Sequence, residues 1–174
     1  MRTDSTARPT SHADPSVDAI PWVIEGIRAG IAGAAVIALF FAILDLGAEH
    51  PFWTPFVLGS AFFRNALPAA RSAVDPALVV GYTGIHALVF VGFGLSAAFY
   101  LFTGSRTTGP LATRLALSAA LFAGLEVVFV LFAMLFARGS LAMLGAGRVA
   151  VANALAAAAM AWLLCARADR VRRP

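Results

Sequence analysis

Lysine is absent from this 174-residue chain, and all thirteen basic residues are arginine. Cysteine is almost absent as well. The single Cys165 rules out a disulfide framework, CxxC redox chemistry and a cysteine-rich metal site within one chain. GxSxG, HExxH and phosphate-cradling glycine loops are also missing, so no residue pattern points to an enzyme. Charge is scarce, at 13% of residues. The few arginines flank apolar runs instead of forming one basic face, which is the pattern that orients a membrane protein. A nucleic-acid partner is therefore not expected, despite a net charge of +4 and an isoelectric point near 10.6.

What the chain has is apolar length. Hydrophobic residues make up 60% of it, and its mean hydropathy is +0.84. The fold class expected is all-α integral membrane, a four-helix transmembrane bundle with a short interfacial helix between spans 1 and 2. The spans run from about residues 21–46, 76–102, 111–137 and 141–166, each long enough for roughly 30 Å of hydrocarbon. Asp75 before Pro76 reads as an N-cap with proline at the first helical position, and Gly139 as a C-terminal stop. The first nineteen residues, rich in Ser, Thr, Pro and Asp, read as a disordered cytoplasmic tail. Residues 168–174 read as a basic C-terminal tail. A cleaved signal peptide is not expected, because the first apolar stretch is long and ends in LDLGAEH.

Arg2, Arg8, Arg28, Arg106, Arg114 and the four C-terminal arginines fall on one side of these spans. Arg64, Arg71, Arg138 and Arg148 fall on the other. The positive-inside rule then places both termini in the cytoplasm, with Trp22 and Trp162 near that boundary and Trp53 near the outer one. The lysine-free, alanine-rich composition points to a GC-rich bacterial genome, and so to the bacterial cytoplasmic membrane. Residues 55–65, opening on Thr54 and Pro55, are too short to span and read as an outer-face interfacial or re-entrant helix.

Span one carries Gly26, Gly30, Ala34, Ala38 and Ala42 at steps of four, a small-residue packing face with Asp45 just beyond it. In span three, Ala116, Ala119, Ala123, Glu126, Val130, Ala133 and Ala137 form a stripe expected to face protein. Phe122, Phe129 and Phe136 are left for lipid or a partner subunit. Span four is alanine-rich all round and is expected to be the most enclosed.

Polar residues inside these spans are the candidate site, because ionisable groups at mid-bilayer depth are costly. His86, Glu126 and Asn153 lie about eleven to thirteen residues from one end of their spans, roughly 16–20 Å deep at helical rise. With Thr83 they form an expected buried polar layer, in which His86 is the expected partner of Glu126. Asp45, Tyr82 and Arg148, with Glu49 and His50 at the lip, form an expected outer layer in which Asp45 could pair with Arg148. The two layers suggest either interhelical glue or a proton path through His86 and Glu126. No cofactor is expected: haem or metal at His86 would need ligands that a second copy must supply. The expected partners are the lipid bilayer and a homo-oligomer or larger membrane complex. The leading functional reading is a structural, accessory or assembly subunit; the other is a small proton-coupled transporter or channel.

Overall fold

The computed structural model describes residues 20–70, 72–104, 109–136 and 144–171. The tail at 1–19, the expected stop at Gly139, and Arg2, Arg8, Arg71, Arg106, Arg138, Ser140, Arg172 and Arg173 lie outside these residues. Five helices are described: α1 (Ile20–Gly47), α2 (Trp53–Arg64), α3 (Pro76–Thr103), α4 (Pro110–Leu135) and α5 (Ala146–Val171). Four of them, all but α2, are long and apolar enough to cross a membrane, with mean hydropathies between 1.9 and 2.4. The protein is an integral membrane four-helix bundle. Its fifth helix runs through Val171, into the stretch read as tail.

Around the bundle the spans follow the order α3, α1, α5, α4, and consecutive α3 and α4 barely touch. α5 is the best covered and α4 the least, with 50% and 17% of their apolar windows buried. The start of α1 and the end of α5 share one end of the bundle, where Arg167 lies 3.6 Å from Glu25 and Arg114 lies 3.0 Å from Asp169. Arg114 also sits over the Trp162 ring at 4.7 Å, so its charge is held by both an anion and an aromatic face.

α1 and α3 cross backbone to backbone. A Cβ on Gly30 would lie 2.5 Å from the Phe90 carbonyl oxygen, and one on Gly94 would run into the main chain of Gly26 and Gly30. Gly26, Gly30 and Ala34 are buried as expected of a packing face, but Ala38 is exposed and Ala42 only half-buried. The reason is geometric. At 3.6 residues per turn, each step of four drifts about 40° around the helix. The buried line therefore leaves that register and continues through Gly33, Phe41 and Asp45. Gly33 receives Met160 of α5.

The faces of α4 are reversed from the sequence expectation. Ala116, Ala119 and Ala123 are exposed, whereas Leu117, Leu121 and Leu125 are buried and Phe122 and Phe129 pack inward together with Phe132; Phe136 alone of the three expected outward rings stays exposed, at 40%. The opposing α5 presents Ala152, Ala156, Ala157 and Ala161, each 0–1% exposed. Lipid is as apolar as leucine, so burial of apolar area does not choose the inward face. Size complementarity does: the alanine helix needs large partners.

At the opposite end of the bundle from Glu25 and Arg167, α2 lies folded onto it, with Phe56, Val57, Leu58 and Ala61 buried. Gly59 lets it meet Leu78 of α3 at main-chain distance. Arg64 at its C-terminus binds Asp75 at 2.6 Å, while the other Asp75 oxygen accepts from the Ala77 amide and caps α3. One carboxylate thus joins the end of α2 to the start of α3.

Candidate functional site: an intramembrane polar cavity

The structure divides the expected polar constellation into three separate contacts. On α3, Tyr82, His86 and Phe90 stand one above another at i, i+4 and i+8. Their ring centroids are 5.9 Å and 4.7 Å apart. The His86 Nε2 lies 3.3 Å from the Ala34 carbonyl oxygen of α1. A carbonyl can only accept, so Nε2 carries the proton, and in the neutral ring Nδ1 is left as an acceptor. Buried Ala34, with its single methyl, is what allows the imidazole this close to the α1 backbone.

Glu126 pairs with Asn153, not with His86: the Asn153 Nδ2 donates to Oε1 at 2.9 Å and ties α4 to α5. The turning of α4 accounts for this. With its leucine and phenylalanine faces inward, Glu126 comes to the α5 flank, half-buried, while Asn153 is only 5% exposed. Thr83 does not belong to the buried layer. Its side chain is exposed and its hydroxyl donates to the Val79 carbonyl at 2.7 Å within its own helix.

Asp45 is buried at 6% exposure and pairs with Thr54, not with Arg148. Its two oxygens accept from the Thr54 amide at 2.8 Å and the Thr54 hydroxyl at 2.7 Å. α2 begins after Phe52, which is left-handed (φ 63°) and offers no side-chain cap, so the α1 carboxylate acts as the cap from outside. Thr54 is therefore a functional partner that its Thr-Pro spacing disguised as a cap in its own right. Arg148 is exposed in the first turn of α5 and has no ion-pair partner among the described residues. It does share with Asp45 the lining of a cavity of about 110 Å³. Glu49 and His50 are exposed at the turn between α1 and α2, and Glu49 is left-handed (φ 58°).

The main cavity, about 120 Å³, lies between α1, α3, α4 and α5 under Leu58 of α2. Tyr82, His86 and Asn153 supply its polar lining, and Phe41, Phe90, Phe129 and Phe132 most of its aromatic walls. Phe41 and Leu144 line both cavities and stand where the two layers would have to join to make one path. Phe129 is the part of this lining that the stripe reading assigned to lipid or a partner subunit, and Phe132 stands beside it. Their signal was present in the alanine content of α5. Among the described residues, no three His, Cys, Asp or Glu side chains come together as metal ligands.

The geometry predicts unequal effects at the Glu126–Asn153 contact. Glu126→Gln keeps an acceptor oxygen for Asn153 and should shift stability by no more than about 0.6 kcal/mol, the mean of hydrogen bonds between membrane helices. Asn153→Leu strands a polar side chain and should cost more, about 1–3 kcal/mol. Detergent unfolding of the two variants side by side checks the order.

Comparison with protein-family models, with curated proteins and with solved structures finds no match.

Proposed function

We propose that this protein is a structural or accessory subunit of the bacterial cytoplasmic membrane, with both termini cytoplasmic. In this reading it associates side to side, with itself or a larger membrane complex, through the outward face of α4. One observation carries the reading: the least covered span exposes Ala116, Ala119 and Ala123 beside a half-buried carboxylate. Glu126 uses Oε1 for Asn153, and its other oxygen has no hydrogen-bond partner among the described residues. An acidic or basic side chain at the centre of a lipid-facing helix costs about 2.5–3.5 kcal/mol on insertion scales. Small residues let a second helix backbone approach closely enough to cover it. A transport role would rest on a shared proton path from His86 to Glu126. Those side chains are turned to different helices, so the geometry gives that path no support.

Cross-linking in native membranes tests the reading. With Cys165 replaced by Ser, an Ala123→Cys chain is expected to form a species of at least twice the chain mass on oxidation. A Val80→Cys chain, altered on the exposed side of α3, is expected to stay single. If Ala123→Cys also stays single in the membranes it is made in, side-to-side association through α4 is wrong.

A further inference from the structure

We propose that the main cavity is a binding site for a membrane-dissolved lipid with a single-ring, oxygen-substituted head, a benzoquinone carrying an alkyl or prenyl tail. Three features of the cavity select this chemistry. The first is size: at about 120 Å³ it is close to the dry apolar cavity, on the order of 150 Å³, that accepts benzene. It holds one six-membered ring and is far too small for a tetrapyrrole. The second is shape. Phe41, Phe90, Phe129 and Phe132 line it together with the Tyr82 and His86 rings, and such walls favour a flat ring over a coiled acyl chain.

The third is polarity on two sides. The Tyr82 hydroxyl has no hydrogen-bond partner among the described residues and belongs to a side chain lining the cavity. His86 beside it donates its Nε2–H to the Ala34 carbonyl and keeps Nδ1 as an acceptor. On the α5 wall stands Asn153, oriented by Glu126. A quinone has acceptor oxygens on opposite edges of its ring, so one can accept a hydrogen bond from the Tyr82 hydroxyl while the other accepts from the Asn153 amide. An acyl chain would leave the Tyr82 hydroxyl without a partner, at about 1–3 kcal/mol.

The site also has a door of the right kind. α3 and α4 barely touch, and Val89 and Val128, one from each, line the cavity while remaining 36% and 38% exposed on the membrane-facing surface. A head entering between them leaves its tail in lipid. The opposite sides are closed by the glycine crossing of α1 on α3 and the alanine face of α5. Leu58 of α2 closes the end.

The test uses the full chain in lipid nanodiscs, titrated with a decyl-substituted benzoquinone and followed by equilibrium dialysis. The parent is expected to bind one quinone per chain, saturably and above the partition of empty discs. Tyr82→Phe, which keeps the ring and removes only the hydroxyl, is expected to weaken binding about fivefold to tenfold. Val128→Trp, which fills the door, is expected to abolish saturable binding. Val128→Ala at the same position should leave binding intact and shows that the loss comes from blockage. Uptake equal to that of empty discs overturns the proposal. So does binding unchanged by both Tyr82→Phe and Val128→Trp. Retention of phospholipid that the quinone cannot displace would also overturn it, showing an acyl chain to be the occupant.

Discussion

Gly94→Ala is expected to destabilise the bundle by about 1–3 kcal/mol, the cost of forcing an extra carbon into a packed contact. The added Cβ meets the main chain of Gly26 and Gly30, and main chain cannot swing aside as a flexible side chain can. α1 and α3 must part along the crossing, and the Ala34–His86 contact one to two turns away is carried with them. Gly92, two residues earlier on α3, has nothing within 4 Å of its Cβ position. Gly92→Ala should therefore change stability by only a few tenths of a kcal/mol, which makes it the matched control for any general effect of alanine in this helix. The measurement is unfolding by dodecyl sulfate titration from mixed micelles, followed by far-ultraviolet circular dichroism. Equal midpoints for the two variants would mean that the helices do not cross at backbone distance.

Asp45→Ala is expected to release α2 from the bundle end. The Thr54 amide and hydroxyl would both be stranded, and each buried donor left without an acceptor costs about 1–3 kcal/mol. A combined loss of about 2–6 kcal/mol falls mainly on docking of the short helix, because α1 itself keeps its packing on α3 and α5. Two graded variants separate the contributions. Asp45→Asn retains one acceptor and should lose about half as much, whereas Thr54→Val removes the hydroxyl alone. Limited proteolysis reports the result directly: cleavage between residues 48 and 53 should rise sharply in Asp45→Ala and modestly in the other two. Unchanged cleavage in Asp45→Ala would show that the apolar contacts of Phe56, Val57 and Leu58 hold α2 without its cap.

Much of the architecture was legible because its causes are local. Twenty or more apolar residues in a row make a spanning helix in any context, and Asp75 before Pro76 caps α3 with groups two residues apart. The packing faces were less legible. A step of four holds register for two turns, which is why Gly26, Gly30 and Ala34 are buried and Ala38 is not. The α4 stripe failed for a different reason: α5 is itself mostly alanine, and the α4 face packed against it is the one carrying Leu117, Leu121 and Leu125.

The polar partners were least legible of all. The acceptor for His86 is the backbone oxygen of Ala34, and one donor to Asp45 is the backbone amide of Thr54. Every residue carries such groups, so no spacing of side chains announces which one will be used. The Glu126 partner, by contrast, is a side chain at similar depth. Asn153 stood among the candidates as its third member, and only the rotation of α4 decided between it and His86.

The order of helices around the bundle bears on how the chain is made. The ribosome delivers α1, α2 and α3 first, and these already hold their glycine crossing, the Asp45 cap and the Arg64–Asp75 link. α4 arrives next, beside an α3 that it barely touches. It brings Glu126 into the membrane before Asn153 has been synthesised, and Gly33 waits for Met160 over the same interval. Closure therefore depends on α5, and a chain that stalls before it carries an unpaired carboxylate in hydrocarbon, a mark by which quality control could tell unfinished copies from finished ones.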